Sequence, residues 1–381
     1  MRVLHVITGL AAGGAEQQLR LVLPHLAAGG VECEVVTFTN PGSIAEVIRA
    51  EGTRVHHLGM RGNRDVAALP RLVRLIRDGR FDLVHTHLYR ACLYGRLAAR
   101  LARVRRVVAT EHSLGDELIE GRRRTAGVRA LYLVGERLGD VTIAVSDTVA
   151  RRLREWGVRA TRIVVVPNGI DAQRFRFDPA ARVRVRRQWG IPPESFVVGG
   201  VGRLEHPKRF DVLIRAVAGL PDARLVLVGA GSQREALAGL ARTLGVEDRV
   251  LLTGEVADVT DEMAGMDLLA STSGDETFGL AVLEAMANGL PVRYVRCPAL
   301  EELPPDRAPG AERMGLGEAE TRAALAAAAD EATRLPPPPA VGDYDIARVA
   351  RELQQLYAEL HGPAARRSGS APSRVRRHED G

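Results

Sequence analysis

The sequence predicts an α/β fold built from two doubly wound parallel-sheet domains in tandem. Short runs of apolar, β-branched residues alternate with longer helical patterns along most of the 381 residues. Strands of this kind, separated by helices, are typical of a parallel sheet that helices cover on both faces. The alternation is interrupted by a polar, arginine-rich stretch near 172–190 and then starts again. Because the chain is too long for one ordinary core, we expect two domains.

The first half of the chain reads as seven strands connected by helices. The predicted strands are the runs VLHVI, CEVVTF, RVHHL, DLVHTH, VVATEH, VTIAV and IVVVP, and the predicted helices lie near 15–28, 43–51, 66–78, 90–101 and 125–138. The amino end also resembles a short signal peptide. His5 and Thr8 interrupt its apolar run, however, so a first strand and its loop are expected there. Pro and Gly in PNGID, at 167–171, mark a turn at the end of this domain.

The second half repeats the pattern and then becomes irregular. Its predicted strands are FVVGGVG, RLVLVG, RVLLTG, MDLLAS and LPVRYV, and its predicted helices lie near 208–219, 232–243, 258–265, 279–288 and 318–334. Residues 298–315 read as a Pro/Gly-rich loop, and PPPPA at 336–340 as a stiff spacer. An amphipathic helix is predicted near 345–361. The prediction is therefore a domain over 1–170, a linker over 171–190, a domain over 191–344, a final helix over 345–362 and a disordered tail over 363–381.

Composition narrows the class of protein. Cys33, Cys92 and Cys297 are far apart in the sequence, which fits a reducing cytosol and argues against a disulfide framework or a zinc cluster. No apolar run has the length of a membrane span. We therefore expect a cytoplasmic protein.

The net charge of +6 is distributed unevenly. Residues 1–170 hold 26 arginines against 16 acidic residues, whereas 171–381 hold 27 basic against 31 acidic residues. A basic half beside a slightly acidic half suggests a different partner for each. Nucleic acid is disfavoured, because the arginines lack interleaved aromatic residues. The open alternatives are solvated helix faces and contact with an anionic acceptor or with the inner face of the membrane.

Lys208 is the only lysine among 53 basic side chains. A chain that uses arginine everywhere else and keeps one lysine is expected to need an ammonium group there. Lysine is a compact point charge, whereas arginine presents a rigid planar fork. A compact cation suits the oxygens of a diphosphate. The alternative is a surface lysine that occurs by chance.

Four loops follow predicted strands, which is where open α/β sheets bind ligands. In the first loop, Gly13 and Gly14 precede a helix whose N-terminus favours an anion. A second loop carries Arg203 and Lys208. The third carries Glu276 and, with seven residues between them, Glu284 on a helix that starts near Gly279. Carboxylates accept hydrogen bonds from sugar hydroxyls. This pair therefore predicts that Glu284 contacts a ribose and that Glu276 contacts a sugar.

The fourth loop places Glu111 and His112 at the end of a strand, and His85 and His87 lie at the end of the preceding strand in the sequence. A lone histidine is usually structural, but a position at the carboxyl end of a strand favours a functional role. No spacing of His, Asp and Cys indicates a metal site.

Together these motifs resemble the retaining glycosyltransferases of family 4, which have the GT-B fold. The resemblance covers roughly residues 1–292. It rests on GGAE at 13–16, HTH at 85–87, VPNGID at 166–171, GRL at 202–204 with Lys208, and the pair Glu276 and Glu284. It implies a transfer from a nucleotide-diphosphate sugar to a hydroxyl acceptor, with retention at the anomeric carbon and without a metal or other cofactor. Two such domains in tandem are expected to place a ligand cleft between them, and the resemblance also implies a last helix that packs back on the first domain.

The resemblance also implies roles for residues. Arg203 and Lys208 would hold the donor diphosphate, Glu284 its ribose, and Glu276 its sugar. The residues expected in catalysis are His112, Glu276, Arg203 and Lys208, and those expected to bind the donor are Gly13, Gly14, Arg203, Lys208, Phe278, Gly279 and Glu284. The resemblance weakens after residue 292, where RYVRCPALEELPPDRAPG lacks the Gly pair usual in the family.

Cations and helix N-termini would stabilise the leaving nucleoside diphosphate. Retention can proceed by front-face attack or through a covalent intermediate. The chain shows no nucleophile for a covalent intermediate, so front-face attack is favoured. The acceptor is expected near 59–66 and 113–125. An anionic surface or a phosphate-bearing, lipid-linked acceptor would contact Arg71, Arg74, Arg77 and the arginines at 122–124. A small soluble aglycone is the alternative.

Three other functions remain as alternatives. GAGSQR at 229–234 starts like a dinucleotide fingerprint but has Arg234 in place of the third glycine, which argues against a dehydrogenase. A nucleotide-sugar epimerase or hydrolase would share the fold without an acceptor. A non-catalytic partner subunit is consistent with the irregular segment at 293–317.

Overall fold

The computed structural model describes residues 1–362 apart from 12, 63, 64, 66, 117, 121, 257 and 330–332, and of Arg122 only the backbone. The tail that we predict to be disordered, 363–381, lies outside the described residues. The described residues form two compact units, one of residues 1–169 and 346–362, the other of residues 170–345.

The first unit is built on a seven-stranded parallel sheet with the order β3-β2-β1-β4-β5-β8-β9. Its strands in chain order, with a short antiparallel hairpin β6-β7, are β1 (Arg2–Ile7), β2 (Glu32–Thr37), β3 (Arg54–His57), β4 (Leu83–His87), β5 (Arg106–Glu111), β6 (Leu118–Ile119), β7 (Arg122–Arg123), β8 (Val141–Ala144) and β9 (Ile163–Val165). All seven predicted strands are present. The strand order reverses between β1 and β4, the position at which doubly wound sheets bind ligands.

Helices cover both faces of this sheet. They are α1 (Gly14–Ala28), α2 (Gly42–Ala50), α3 (Ala68–Gly79), α4 (Tyr89–Leu101), α5 (Ala126–Glu136) and α6 (Asp147–Glu155). The first five correspond to the predicted helices, and α6 was not predicted. Apolar residues of β1 point alternately into two clusters, with Val3 and Ile7 on one face and Leu4 and Val6 on the other.

The second unit has a six-stranded parallel sheet with the order β12-β11-β10-β13-β14-β15. Its strands are β10 (Phe196–Val201), β11 (Ala223–Val228), β12 (Val250–Gly254), β13 (Leu268–Ser271), β14 (Val292–Tyr294) and β15 (Ala311–Arg313). Its helices are α7 (Pro179–Trp189), α8 (Phe210–Ala218), α9 (Arg234–Thr243), α10 (Thr260–Gly265), α11 (Leu280–Ala287), α12 (Pro298–Glu301), α13 (Glu318–Ala329) and α14 (Pro339–Asp343). The predicted fold class, two doubly wound parallel-sheet domains, is therefore confirmed.

The interpretation of 171–190 as a linker is wrong, because this stretch contains helix α7. The Asp178 side chain accepts a hydrogen bond from the Ala180 N–H and caps the helix, and Pro179 occupies its first position. Arg186 is buried and binds the Asp267 carboxylate at 2.5 Å. A buried arginine with a carboxylate partner makes the helix part of the core, although its sequence reads as polar.

Residues 298–315 are more ordered than the predicted loop. The segment contains α12 and the short strand β15, which pairs in parallel with β14. The Glu301 carboxylate accepts a hydrogen bond from the Cys297 N–H at 3.1 Å. A strand of three residues is too short to give a recognisable pattern in the sequence.

The last helix, α15 (Ile346–His361), belongs to the first unit and packs on α1. Its predicted apolar face is buried, with Ile346, Val349, Leu353, Leu356 and Leu360 in the core. The Gln354 amide donates to the His25 carbonyl at the end of α1 at 3.0 Å. Among the described residues, no helix has the length and hydrophobicity that a bilayer span requires.

Candidate functional site

Four histidines of the first unit lie together near the carboxyl ends of three adjacent strands. His5 on β1 stands opposite His85 on β4, and His87 stands opposite Thr110 on β5. His112 follows β5 directly. Since side chains two residues apart in a strand share one face, His85, His87 and Thr110 project to the same side of the sheet.

The rings form two hydrogen-bonded groups. In one, His5 Nδ1 lies 3.1 Å from His87 Nε2, and His87 Nδ1 lies 3.2 Å from His112 Nε2. In the other, His85 Nδ1 bonds the Tyr357 hydroxyl at 2.6 Å and His85 Nε2 bonds the Thr110 hydroxyl at 2.7 Å. We call the first group the His5–His87–His112 chain.

Burial keeps these rings neutral. Loss of hydration lowers the pKa of His5 to about 3 and that of His112 to about 4. The pKa values of His85 and His87 are also far below the ordinary value, first through burial and then through the neighbouring histidines. Each ring therefore carries one N–H at neutral pH, so it can donate once and accept once.

Three of the histidines, His85, His87 and His112, line a small cavity of about 40 Å³, together with Gln18, Asn168 and apolar residues that include those of α1 and α15. It has room for a water molecule but not for a sugar. The Gln18 side chain accepts a hydrogen bond from the Gly169 N–H at 2.9 Å. Ligand atoms of His5, His85 and His87 lie within 4.8 Å of one another, close enough for a metal ion. That the reaction needs no metal stays a prediction.

Behind His112, Glu111 is buried beside Tyr132 and Glu120. Burial, followed by the charge of Glu120, raises the pKa of Glu111 to about 7. Its carboxylate accepts a hydrogen bond from the Ser113 N–H at 3.1 Å, which fixes the turn after His112.

Gly13 and Gly14 stand where the sequence predicts an anion site. Gly13 is the extended residue before α1, and α1 begins at Gly14. A side chain at Gly13 would collide with the Glu16 carboxylate, so this acid already lies close to the helix N-terminus. Negative charge is favourable at this end of a helix.

In the second unit, Lys208 and Glu276 form an ion pair. Lys208 lies on the short turn after β10, and Glu276 lies in the loop after β13, its neighbour in the sheet. The Thr272 hydroxyl donates to the Lys208 carbonyl at 2.8 Å and ties these two loops together. Arg203 is exposed on the loop that carries Lys208.

The glycines of GAGSQR serve backbone packing. Gly202 has φ +144° and Gly229 has φ +145°, and a Cβ on Gly229 would collide with the Gly202 carbonyl. A Cβ on Gly231 would likewise collide with the Leu204 carbonyl. The Leu204 N–H donates to the Ala230 carbonyl at 2.9 Å. These glycines hold the loop of Arg203 and Lys208 in place, which explains them without a dinucleotide.

Helix α11 begins beside this ion pair in sequence. Gly279 is its left-handed N-terminal residue, with φ 107°, and a Cβ there would collide with the Cys297 sulfur. The Phe278 ring is buried against Tyr344, so only its backbone is available to a ligand. Burial raises the pKa of Glu284, on α11, to about 7, although the charge of Arg174 opposes the shift.

The structure thus brings the predicted donor residues of the second unit together at one edge of its sheet, and the predicted His112 into a histidine cluster of the first unit. Sequence reasoning missed His5, Thr110 and Tyr357 as members of that cluster. The pairing of His5 with His85 was detectable in principle, since both lie in strands predicted to be buried. The contribution of Tyr357, 272 residues from His85, was not.

Helix α3 carries three arginines that are predicted to contact the acceptor, and all three, Arg71, Arg74 and Arg77, are exposed. Arg71 pairs with Asp65 at 3.0 Å, and Arg77 donates to the Leu101 carbonyl at 2.8 Å. Arg74 lies between them on the helix. The predicted loop at 59–66 is partly outside the described residues, since 63, 64 and 66 are not described.

The arginines of the second predicted acceptor loop differ in environment. Arg123 is exposed, whereas Arg124 lies over the Trp156 ring at 4.9 Å and donates to the Gly115 carbonyl at 2.9 Å. The side chain of Arg122 lies outside the described residues. Arg124 is therefore partly used in holding this loop.

Comparison with known families identifies the family of the chain that carries these two sites. The family model described as Glycosyltransferase Family 4 matches residues 12–174, and the model described as Glycosyl transferases group 1 matches residues 182–304. The chain is a family 4 glycosyltransferase. The resemblance that the motifs predict is confirmed.

Curated relatives of this family 4 glycosyltransferase include D-inositol 3-phosphate glycosyltransferases. That of Mycobacterium marinum is 29% identical over 311 residues, which cover 74% of this chain and 66% of the relative. That of Actinosynnema mirum is 31% identical over 323 residues, which cover 74% and 75%. The chain thus spans about two thirds of the length of the first of these relatives and three quarters of the second.

Solved structures support the GT-B fold. HepE of Anabaena in complex with UDP-glucose has a TM-score of 0.81 at 23% identity and covers 94% of this chain and 99% of its own. Sucrose-phosphate synthase of Thermosynechococcus elongatus has a TM-score of 0.78 at 21% identity, with the same coverage of both chains. At these identities the similarity establishes the fold alone.

Proposed function

We propose that this family 4 glycosyltransferase moves a sugar from a nucleotide-diphosphate sugar to a hydroxyl acceptor with retention of the anomeric configuration. The observation that carries the proposal is the meeting of Lys208 and Glu276 at the carboxyl ends of adjacent strands. Glu284 lies on the helix that follows Glu276, at a spacing suited to a ribose. To bind a nucleotide-diphosphate sugar, a site needs a cation for the diphosphate. It also needs hydrogen-bond acceptors for the hydroxyls of the sugar and of the ribose.

The Lys208–Glu276 ion pair suggests how the donor enters. The diphosphate competes with the Glu276 carboxylate for the Lys208 ammonium. Once Lys208 binds the phosphate oxygens, Glu276 is free to accept hydrogen bonds from the donor sugar. As the glycosidic bond breaks, negative charge grows on the leaving phosphate, and Lys208 and Arg203 stabilise it. Removing one such group typically costs about 2–4 kcal/mol in the transition state.

The donor is proposed to be a UDP-sugar. HepE of Anabaena, which shares the fold, was solved in complexes with UDP and with UDP-glucose. The acceptor is proposed to carry a phosphate, because the relatives are named for D-inositol 3-phosphate and the first 170 residues have a marked excess of arginine. Retention is proposed to proceed by front-face attack assisted by the leaving phosphate, without a metal.

Contact with an anionic membrane is proposed for the outer face of α3 and α4. Arg74 and Arg77 border a groove of about 560 Å³ between these helices, which Leu69 and Leu101 also line. Leu101 is 47% exposed. Exposed leucines beside arginines suit the boundary between lipid headgroups and acyl chains, and each arginine near the surface contributes about 1 kcal/mol. In a sedimentation test, no preference for anionic over neutral vesicles at low salt would contradict this contact.

The experiment that tests the function offers UDP-, GDP- and ADP-sugars, each with and without D-inositol 3-phosphate, to the wild type and to Lys208→Ala. We expect wild-type enzyme to consume one UDP-sugar with an acceptor and to leave most of it intact without one. Anomeric coupling in the NMR spectrum of the product tests retention. Consumption of donor without acceptor would indicate a hydrolase or epimerase, and binding without turnover a non-catalytic subunit.

A further inference from the structure

We propose that Thr272 is a positioning residue of the donor site, whose hydroxyl holds the backbone of Lys208 in the place from which the ammonium reaches the donor diphosphate. Thr272 is only 2% exposed, so it acts through Lys208 and not on the ligand. The Lys208 side chain is 30% exposed and therefore open to a ligand. The consequence for donor binding rests on the proposed function, whereas the contact between the two loops does not.

The backbone of Lys208 is hydrogen-bonded on both sides. Its N–H donates to the Glu205 carbonyl at 3.0 Å, within the loop after β10. Its carbonyl accepts from the Thr272 hydroxyl at 2.8 Å, and the Arg209 carbonyl lies 3.0 Å from the same hydroxyl. The first bond is local, whereas the second comes from the loop after β13. The Thr272 hydroxyl therefore fixes Lys208 relative to the loop that carries Glu276.

The residue after Lys208 has a strained backbone that this contact explains. Arg209 has φ 51° and ψ 40°, in the left-handed region that residues with a Cβ seldom adopt. Helical dihedral angles of either hand turn consecutive carbonyls to the same side, so the carbonyls of Lys208 and Arg209 both meet the Thr272 hydroxyl. Strained backbone persists where the surrounding structure holds it, and it is concentrated at functional sites.

A contact to the backbone serves a purpose that the ion pair between Lys208 and Glu276 does not. In the proposed reaction the diphosphate takes the ammonium away from Glu276, so the ion pair opens when the donor binds. The Thr272 hydroxyl contacts the Lys208 carbonyl and leaves the ammonium free to change partner. The two loops therefore stay joined while Lys208 exchanges a carboxylate for a phosphate.

Two variants of Thr272 separate positioning from packing. Valine has the shape of threonine without the hydroxyl, whereas serine keeps the hydroxyl and loses the methyl group. If the hydroxyl holds Lys208, Thr272→Val is impaired and Thr272→Ser is not. If the methyl group only packs the loops, the order is reversed. Thr321→Val is the matched control, because Thr321 on α13 is fully buried in the same unit and its hydroxyl donates to the Gly317 carbonyl at 2.8 Å.

The first measurement is calorimetric titration of UDP into each variant, at a temperature at which circular dichroism shows it to be folded. We expect Thr272→Val to weaken UDP binding by about 10-fold, the lower end of the loss expected when the Lys208 ammonium is removed. Thr272→Ser and Thr321→Val should retain most of the affinity. Since Thr272 acts through Lys208, adding Thr272→Val to Lys208→Ala should weaken binding no further. Wild-type affinity in Thr272→Val, or an equal loss in both backgrounds, would overturn the proposal.

The second measurement does not depend on the donor. Because Lys208 is the only lysine, the full chain labelled with ¹⁵N-lysine gives one backbone amide signal of lysine, which needs no assignment. Relaxation of this signal reports how ordered the backbone of Lys208 is on the ps–ns timescale. We expect a rigid amide in the wild type, Thr272→Ser and Thr321→Val, and a mobile amide in Thr272→Val.

The two measurements distinguish this proposal from the proposed function. If the wild type binds no UDP but the Lys208 amide becomes mobile in Thr272→Val alone, the proposed donor fails and the positioning role of Thr272 stands. If the wild type binds UDP and the Lys208 amide is equally rigid in Thr272→Val, the positioning role fails and the proposed donor stands.

Discussion

Acidification is expected to destabilise the first unit through its buried histidines. When folding lowers the pKa of a histidine, the unfolded chain binds a proton as the pH falls below its value of 6.5, whereas the folded chain does not. The folded state therefore loses stability as the pH falls below 6.5. At pH 5 the solution is 1.5 pH units below 6.5, and each unit corresponds to about 1.36 kcal/mol. His5 and His112, with pKa values of about 3 and 4, each lose about 2 kcal/mol between pH 7.5 and pH 5.

One carboxyl group of the same unit acts in the opposite direction. Folding raises the pKa of Glu111 from 4.5 to about 7, so its ionisation penalises the folded state at pH 7.5 and is relieved on acidification. Between pH 7.5 and pH 5, protonation of Glu111 therefore stabilises the folded state by about 2 kcal/mol. The three groups together therefore predict a loss of about 2 kcal/mol. The pKa values of His85 and His87 are also lowered by burial, which increases that loss.

The two tryptophans allow the units to be followed separately, because Trp156 lies in the first and Trp189 in the second. Urea unfolding of Trp189→Phe at pH 7.5 and pH 5 reports on the first unit, and unfolding of Trp156→Phe reports on the second. A loss of at least about 2 kcal/mol should lower the first midpoint by about 1 M urea or more. Adding His5→Phe should reduce the loss by about 2 kcal/mol. A first unit that is equally stable at both pH values, or a His5→Phe variant with the same pH dependence as its parent, would refute this reasoning.

The remaining predictions concern the donor site. Lys208→Arg and Arg203→Ala should each lower turnover by about 10²-fold or more without changing the circular dichroism spectrum, and near-normal turnover in Lys208→Arg would contradict the need for a compact cation. Glu276→Gln should bind UDP more tightly, because Lys208 loses its competing partner, yet turn over UDP-glucose more slowly; weaker UDP binding by calorimetry would argue against competition. The KM for UDP-glucose should rise as the pH falls below about 7, where Glu284 becomes protonated, and a Glu284→Gln variant should lack this rise. Turnover should persist in excess EDTA; its loss on chelation and recovery with magnesium or manganese would count against a metal-independent reaction.

The parallel sheets were predictable from the sequence because buried strands leave a strong signal. All five strands named for the second half are present, as are all seven of the first. The positions of Arg203, Lys208 and Glu276 were predictable for a related reason, since each follows a strand and the fold brings strand ends together.

Helices α6 and α7 were missed because each buries an arginine. Arg152 donates to the Leu114 carbonyl at 2.9 Å, and Arg186 to the Gly265 carbonyl at 2.8 Å. The periodicity of apolar residues predicts that these arginines are exposed. Their burial is possible because the folded structure supplies hydrogen-bond acceptors that offset its energetic cost. The same limit applies to the histidine cluster. The sequence shows rings at strand ends but not which nitrogen meets which.

The most direct test of the donor site is calorimetric titration of UDP-glucose into the wild type and into Lys208→Ala. Hydrogen bonds to charged groups contribute about 1.5–3 kcal/mol, so loss of the ammonium should weaken binding by about 10- to 100-fold. We predict binding to the wild type, reduced by that factor in Lys208→Ala. Both proteins should unfold at the same urea concentration when Trp189 is followed in a Trp156→Phe background. Equal affinity of the two proteins for UDP-glucose would contradict the assignment of the diphosphate to Lys208.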